Sequence, residues 1–533
     1  MILESIGIGL IIPIVNIIFD PNSFSSVINY LDISRDKLII LIFISSIFFF
    51  VFKFSFLTLL SFKQNKFVSY FTHNISLSLF KNYLFKDYRF FSKYNSSEYV
   101  KNIFLESNYF SSYFNAFVNF VVDTFLAISL MIILIIIEPI GALFVFSLFS
   151  LGSFLIYKMT KSKLVRWGEE RKVIDNELTK ATIEGFNSIR EIKVLNIEFY
   201  FINIFQKNNL RKADIHSKHL FLSQLPKNFL ELLTFLGLLF FIIITISIDS
   251  ELIGILAKLS VFTAAAFKII TSLNRILSNY QQMKFYTSSI NIIIDELKTN
   301  NEDNSIKLQE FNEIAKIEFK DINFSYEDKH VLKSINLIIN SGENICISGI
   351  SGSGKSTLLD ILLGLQEKVS GHFLINNINL SKEYIKSWQS KIGYVPQKIF
   401  LLDDNIENNI TLGSLTNDVL WLKILLDKLE LKTLNEEYSN NQSTIGENGI
   451  NLSGGQIQRI AIARALYRKP KILILDEFTN NLDQINEDIV LGILKDHFQN
   501  SIIIFTTHKS APVKIADKIY KLKNNELKEV IYE

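Results

Sequence analysis

The sequence predicts an all-α polytopic membrane domain followed by an α/β domain built around a phosphate-binding loop. Long apolar stretches are confined to residues 1–272 of the 533-residue chain. A glycine-rich G-x-x-x-x-G-K-S motif lies at Gly349–Ser356, and a strand-like apolar run ends in Asp476 and Glu477. The segment 299–310 is polar, so we expect a membrane domain at 1–298, a linker at 299–310 and an α/β domain at 311–533.

Composition excludes several classes of protein. Hydrophobic residues make up 48% of the chain, which is high for a soluble enzyme, and a net charge of +2 gives no basic excess that would attract nucleic acid. The single cysteine, Cys346, rules out an intrachain disulfide. It lies in the apolar run NICIS, where we expect a buried thiol.

The apolar stretches have the length of membrane-spanning helices, which need about 20 residues. Six approach it: Met1–Ile18, Leu38–Leu60, Phe114–Ile137, Pro139–Tyr157, Phe229–Ile248 and Leu252–Ser272. The alternative is that these stretches are buried helices of a soluble protein. The presence of six such stretches in one chain disfavours this alternative. The first has no basic region before it, which disfavours a cleaved signal peptide, and either this helix is short or it starts upstream of Met1.

The connections between these stretches predict the topology. The long connections 61–113 and 158–228 are rich in lysine and arginine, whereas the short ones carry acids. Basic connections remain in the cytoplasm, so we expect both long connections and the C-terminal domain on that side.

Charged side chains within or near the stretches are candidate functional residues, because charge at membrane depth is unfavourable. The alternative is that those near helix ends reach the interface. The candidates are Glu4, Lys53, Asp123, Glu231, Lys258 and Lys268.

The glycine-rich motif predicts a nucleotide-phosphate site, because it follows a strand-like run and precedes a helix-like one. Its backbone N–H groups and the helix N-terminus attract phosphate oxygens. We expect Lys355 to neutralise the β- and γ-phosphates and Ser356 to bind Mg²⁺. The whole predicted loop comprises Gly349, Ile350, Ser351, Gly352, Ser353, Gly354, Lys355, Ser356 and Thr357.

The two acids at the end of KILILDE are expected to have different roles. Asp476, at the end of a buried strand, is predicted to hold Mg²⁺, and Glu477 to act as general base on the attacking water. A helix-capping acid is the alternative. Two successive acids downstream of a phosphate-binding loop favour ATP chemistry.

A second phosphate-binding helix start is predicted at Asn451–Gln456, which reads NLSGGQ before a helix-like run. One ATP needs one phosphate-binding loop. The second site is therefore expected to serve the nucleotide bound to another copy of the chain.

The stretch LSGGQ resembles the signature of ATP-binding cassette (ABC) proteins, and further motifs of that family follow the same order. The resemblance implies that Tyr326 stacks on adenine, that Gln397 contacts Mg²⁺ and that Asp483 belongs to the D-loop, the segment that passes the partner cassette. It implies that His508 contacts the γ-phosphate. It also implies that the partner's ATP is met by Ser453, Gly454, Gly455 and Gln456.

The N-terminal half resembles the six-helix exporter type of this family. One membrane half and one cassette would make a half-transporter, which implies a homodimer in a lipid bilayer, the bacterial inner membrane, with the cassette in the cytoplasm. Phe91–Glu106 and Gly185–Tyr200 occupy the places of the short coupling helices of such exporters.

A finer resemblance concerns the cargo. The stretch from Glu4 to Val15, the amphipathic segment Ser23–Ser34 and SLNRILSNYQQ around Arg275 resemble bacterial lipid-linked oligosaccharide flippases. Arg275 would then meet a pyrophosphate head group or serve as an interfacial anchor. Export of a peptide or another lipid remains an alternative, as does a non-transporting membrane regulator that binds ATP.

The segment between Glu477 and Asp483 departs from the family pattern. The resemblance implies small residues there, whereas this chain has Phe478, Thr479, Asn480 and Asn481. We expect the two amides to alter contacts between cassettes and thereby turnover or coupling.

Overall fold

The computed structural model describes residues 34–137, 139–248, 252–298, 309–327, 329–366, 369–414, 418–440, 444–507 and 509–530. The chain divides into two compact units, one of Met1–Lys86 with Phe90–Glu302 and one of Asp87–Arg89 with Asp303–Glu533. Four features predicted from the sequence lie outside the described residues: the first span, Glu4, residues 23–33 of the segment Ser23–Ser34, and His508.

The first unit is helical in its described parts. Its α-helices are α1 Arg35–Leu84, α2 Tyr88–Lys93 (of which Tyr88 and Arg89 are assigned to the second unit), α3 Ser96–Lys101, α4 Ser107–Ile137, α5 Pro139–Asn187, α6 Ile189–Leu195, α7 Glu198–Ile248, α8 Leu252–Phe285 and α9 Thr287–Lys298. A π-helical segment, Asn102–Glu106, joins α3 to α4. Helices α1, α5 and α7 have 50, 49 and 51 residues, well beyond the ~20 that a helix needs to cross a bilayer.

The surface of α1 is that of a lipid-facing helix. Ile44, Phe48 and Phe54 expose 62, 76 and 71% of their side-chain surface, which soluble proteins rarely do over a contiguous face. By length and composition, two helical stretches among the described residues can cross a membrane, Asp36–Leu84 and Ser96–Ile132. The long helices pack on one another through buried residues such as Leu130, Phe149 and Leu230.

The second unit contains a six-stranded, mostly parallel sheet. Its strands are β3 Asn344–Gly349, β6 Ile392–Val395, β7 Ile472–Asp476, β8 Ile502–Thr506, β9 Lys518–Lys523 and β10 Glu526–Glu529, in the spatial order β10-β9-β3-β8-β7-β6. Every residue of β7 and β8 is buried, which explains their unbroken apolar runs. The predicted buried strand that ends in Asp476 is therefore confirmed.

An antiparallel sheet and a set of helices complete the unit. The sheet has the order β2-β1-β4-β5, with β1 Lys316–Tyr326, β2 Lys329–Asn340, β4 Ser370–Ile375 and β5 Ile378–Asn379. The helices are α10 Lys355–Leu362, α11 Ile385–Ser390, α12 Ile406–Thr411, α13 Val419–Lys428, α14 Lys432–Asn440, α15 Gly454–Tyr467, α16 Gln484–His497 and α17 Ser510–Val513. Two buried apolar cores, one on each side of the parallel strands, hold the layers together.

Candidate functional site

The candidate site lies where four neighbouring parallel strands end. Strands β3, β8, β7 and β6 are adjacent and parallel, so their last residues, Gly349, Thr506, Asp476 and Val395, lie at one edge of the sheet. Ligands of open α/β sheets bind outside this carboxyl edge. The fold therefore brings together the loop after β3, the acids after β7 and the segment after β6 that contains Gln397.

The loop after β3 has a backbone that requires glycine. Gly349, Gly352 and Gly354 have φ values of 158°, 77° and 105°. A Cβ on Gly349 would lie 2.7 Å from the carbonyl oxygen of Leu522. The loop leads directly into α10, whose first residue is Lys355, so helix N–H groups face the loop as predicted.

Side chains of the loop are suited to phosphate oxygens. The Lys355 ammonium crosses the loop and donates to the carbonyl oxygens of Gly349 at 2.8 Å and Ile350 at 3.1 Å. The Ser353 hydroxyl is buried without a hydrogen-bond partner among the described residues. A buried orphan donor beside an ammonium group fits an anionic ligand.

Asp476 and Glu477 are held by one residue, Thr506, on the neighbouring strand. Asp476 and Thr506 are register partners, and the Thr506 hydroxyl donates to Asp476 Oδ1 at 2.5 Å. Burial raises the pKa of Asp476, and the Thr506 hydrogen bond opposes that rise. The Glu477 N–H donates to the same hydroxyl at 3.0 Å, so Thr506 fixes both acids at the end of β7.

The Glu477 carboxylate turns toward Gln397. Glu477 has a φ of 50°, a left-handed conformation that is unusual for a residue with a Cβ. Its Oε2 accepts from Gln397 Nε2 at 2.9 Å and from Asn480 Nδ2 at 2.6 Å. The structure thus joins the predicted general base to a predicted Mg²⁺-contacting residue.

The predicted metal ligands fit Mg²⁺ by their chemistry. Ser356, Gln397 and Asp476 offer a hydroxyl, an amide and a carboxylate oxygen, and Mg²⁺ prefers oxygen ligands. Among the described residues no group of three His, Cys, Asp or Glu side chains could hold a metal. One protein carboxylate is usual for Mg²⁺ that is held mainly by phosphates and water.

The predicted adenine-stacking residue Tyr326 is the last residue of β1. Its ring exposes 43% of its surface and packs edge-on against Phe324, with ring centres 4.9 Å apart. Gln366 Nε2 donates to the Tyr326 hydroxyl at 3.3 Å. Tyr326 is thus partly exposed and held in place by Phe324 and Gln366, which suits a residue that stacks on a base.

The signature residues form the start of α15. Ser453 is the N-cap of this helix, and its side chain and that of Gln456 form a reciprocal capping box. A Cβ on Gly455 would lie 3.2 Å from the carbonyl oxygen of Asn481, so the D-loop passes directly beside this helix start. Asp483 caps α16, since its carboxylate accepts from the Asn486 N–H at 2.9 Å, and that bond lowers its pKa.

Two residues of this site were missed by sequence reasoning. Thr506 is the first, and Lys509 is the second. The Lys509 ammonium donates to the carbonyl oxygens of Thr479 at 2.7 Å and Leu482 at 2.9 Å, and it pairs with buried Glu487 at 3.1 Å. Thr506 is the first residue of the sequence TTH, and Lys509 follows it directly, but only the histidine of this segment was considered from the sequence.

The structure pairs one of the predicted membrane charges. Asp123 is buried, and its Oδ1 lies 3.0 Å from Arg275 Nε, while Asn279 donates to its Oδ2 at 3.5 Å. Glu231, in contrast, is exposed on α7. The side chains of Lys258 and Lys268 lie outside the described residues.

A buried ion cluster in the helical unit was also missed. Arg171 donates to Ser289 Oγ at 2.7 Å and lies 3.4 Å from Glu106 Oε2, and its guanidinium stands 3.9 Å from the centre of the Tyr109 ring. Asp175 lies 3.8 Å from Arg171 Nε, and two lysines also belong to the cluster: Lys101 lies 3.6 Å from Glu106, and Lys212 lies 2.6 Å from Asp175. Glu106 is the last residue of the π-helical segment, a helix irregularity that often marks functional positions.

Comparisons with known proteins agree with this geometry. The family model described as ABC transporter matches residues 332–480. A Rickettsia typhi protein, provisionally named an export ATP-binding/permease protein, is 41% identical to this chain over 211 residues. The matched residues are 38% of this chain and 36% of the Rickettsia protein. ABC transporter B family member 29, chloroplastic, of Arabidopsis thaliana is 36% identical over 224 residues, 40% of this chain and 35% of its length.

These sequence matches span about a third of the curated relatives' length. The whole chain is similar to the solved structure of a bacterial Atm1-family ABC exporter with ATP bound, with a TM-score of 0.80 and 18% identity over 99% of this chain and 94% of the other. Residues 332–480 therefore match the ABC transporter family, and the chain as a whole has the fold of the Atm1-family ABC exporter.

Proposed function

We propose that the chain is an ATP-driven translocase that moves a lipid-linked oligosaccharide, or a similar amphiphile, across a bilayer as a homodimer. The convergence of the phosphate-binding loop, Asp476, Glu477 and Gln397 at one sheet edge is the observation that supports ATP hydrolysis most strongly. The long helices with apolar exposed faces support placement in a membrane.

The roles of the residues follow from their chemistry. Lys355 and the N–H groups of residues 349–357 bind phosphate oxygens, and Tyr326 stacks on the base. Mg²⁺, held by Ser356, Gln397 and Asp476, supplies charge neutralisation when bound. Glu477 orients and polarises the attacking water.

The partner chain completes the site in this proposal. The start of α15, with Ser453, Gly454, Gly455 and Gln456, directs helix N–H groups outward, where they would bind the γ-phosphate of ATP in the other copy. His508 would contact the same phosphate from the chain that holds the loop.

The cargo proposal is supported by a polar stripe on α4 in the helical unit. Asn115, Asn119 and Asp123 are spaced four residues apart, so they share one helix face. Gln64 donates to both asparagines at 3.1 and 2.9 Å, and Arg275 pairs with Asp123. Such a stripe suits an amphiphile with a polar head group. The head group would replace Asp123 as the partner of Arg275.

Two variants test the catalytic proposal. Glu477→Gln should retain ATP binding and lose steady-state hydrolysis, because the amide cannot act as a base. Lys355→Ala should weaken Mg·ATP binding. The matched control is Glu436→Gln on exposed α14, which should hydrolyse ATP at the wild-type rate. Sustained turnover by Glu477→Gln, or unchanged nucleotide affinity in Lys355→Ala, would contradict the assigned roles.

The cargo proposal has its own test. Polyprenyl-pyrophosphate oligosaccharide should stimulate ATP hydrolysis by the purified protein in lipid nanodiscs, and Arg275→Ala should reduce that stimulation without changing the unstimulated rate. Stimulation by a peptide or a different lipid, with no response to the oligosaccharide lipid, would favour the alternative cargo classes.

A further inference from the structure

The side chain of Asn480 contacts the predicted general base directly. Its Nδ2 lies 2.6 Å from Glu477 Oε2, and Gln397 Nε2 lies 2.9 Å from the same oxygen. From the sequence, Asn480 was expected only to alter contacts between cassettes. The structure instead places it in contact with the side chain that acts on water.

The backbone builds this contact. Glu477 has a left-handed φ of 50°, and the Asn480 N–H donates to the Glu477 carbonyl oxygen at 3.1 Å. This tight turn returns the side chain of the fourth residue to that of the first. Serine is usual at this position in the ABC family that the chain resembles. Its hydroxyl oxygen is one bond nearer to the backbone than the amide nitrogen of asparagine.

The turn is anchored on both sides. Phe478 is fully buried and packs against Phe505, with ring centres 6.1 Å apart. Lys509 donates to the carbonyl oxygens of Thr479 and Leu482 at 2.7 and 2.9 Å. With its backbone held in this way, Asn480 keeps its amide within reach of Glu477.

We propose that Asn480 is a positioning residue that, together with Gln397, holds the Glu477 carboxylate and slows ATP hydrolysis. The inference rests on the proposed role of Glu477 as general base. The two amide donors on Oε2 fix the orientation of the carboxylate, so that turning it toward an attacking water breaks one of these hydrogen bonds. Charge-assisted hydrogen bonds are the stronger kind, so this loss opposes the catalytic step.

The test uses the full-length protein and its unstimulated ATPase activity. Asn480→Ala and Asn480→Ser should raise kcat about three- to tenfold, the range that loss of one hydrogen bond to a partly exposed carboxylate allows. KM for ATP should stay unchanged, because Asn480 contacts Glu477 rather than the phosphate-binding loop. Asn480→Gln, which keeps an amide, should return kcat toward the wild-type value.

The neighbouring amide provides the matched comparison. Asn481 lies on the same turn and faces the start of α15, so Asn481→Ala should give no increase in kcat. A kcat for Asn480→Ala at or below the wild-type value would overturn the inference, as would an Asn480→Gln variant as fast as Asn480→Ala.

Failure of the underlying catalytic proposal gives a different result. If Glu477→Gln is inactive and Asn480→Ala is unchanged, only the restraint by Asn480 is wrong. If Glu477→Gln hydrolyses ATP steadily, the general-base assignment itself is wrong. The double variant Asn480→Ala/Glu477→Gln should remain inactive, because the gain acts through the carboxylate.

Discussion

Replacing Thr506 by valine should weaken both the cassette fold and its chemistry. Thr506 is fully buried, and its hydroxyl donates to Asp476 at 2.5 Å and accepts from the Glu477 N–H at 3.0 Å. Valine keeps the shape of threonine but has no hydroxyl. Asp476 then loses a charge-assisted hydrogen bond, whereas the Glu477 N–H keeps the Thr506 carbonyl oxygen at 3.2 Å as an acceptor.

The magnitude follows from these contacts. A hydrogen bond to a buried charged group contributes about 1.5–3 kcal/mol, so Thr506→Val should lower the free energy of unfolding of the cassette by about 2 kcal/mol. For a domain of this size, that corresponds to a fall in Tm of about 4–8 °C. Because Asp476 loses its hydrogen-bond donor while Glu477 keeps a backbone acceptor, kcat should fall about tenfold, less than the roughly hundredfold that a catalytic group displaced by about 1 Å can cost.

The assay combines thermal unfolding with ATP hydrolysis. A dye that reacts with thiols reports cassette unfolding, because Cys346 is the single cysteine of the chain and is fully buried in β3. The control is Ser501→Ala. Ser501 lies just before β8, at the end of the strand opposite the site, and its hydroxyl donates to the Pro470 carbonyl oxygen at 3.0 Å. It should lower Tm slightly and leave kcat unchanged. A wild-type Tm and kcat in Thr506→Val would refute this account of how the acids are held.

Three further predictions concern other parts of the chain. Burial raises the pKa of Cys346 to about 11 from its ordinary 9.0, so the thiol loses its proton at a higher pH in the folded state than in the unfolded state. The free energy of unfolding should therefore fall as the pH rises from 9 to 11. Denaturant melts of Cys346→Ala should lack this pH-dependent fall. Arg171→Met should destabilise the helical unit by about 1.5–3 kcal/mol, because the buried carboxylate of Glu106 loses its guanidinium partner and keeps the ammonium of Lys101. A melt followed by circular dichroism that matches wild type would contradict this. Exchanging Asn480 and Asn481 together for serine and alanine should change the rate or Hill coefficient of ATP hydrolysis, and the idea fails if both stay the same.

The sequence was sufficient to predict the parts of the site that follow local chain order. Gly349–Ser356 lies between a strand and a helix, and Asp476 ends an all-apolar strand, so each pattern already contained its own structural context. Parallel pairing then brought the two together at one sheet edge. The start of α15 at Gly454 likewise agrees with the helix start predicted at Asn451–Gln456.

The contacts that were missed depend on backbone conformation or on distant chain segments. The Asn480–Glu477 hydrogen bond requires the left-handed φ of Glu477, which apolar periodicity does not encode. Arg171 meets Glu106 and Ser289 across 65 and 118 residues of sequence. On its own helix Arg171 lies among charged residues, a pattern that is more often typical of a solvated face.

The most direct test of the central claim is lipid translocation in proteoliposomes. Wild-type protein should move a fluorescent polyprenyl-pyrophosphate oligosaccharide between leaflets when Mg·ATP is added on the cassette side, and Glu477→Gln should bind ATP but move none. Translocation by Glu477→Gln at the wild-type rate, or ATP hydrolysis by the wild type without movement of this lipid, would contradict the account.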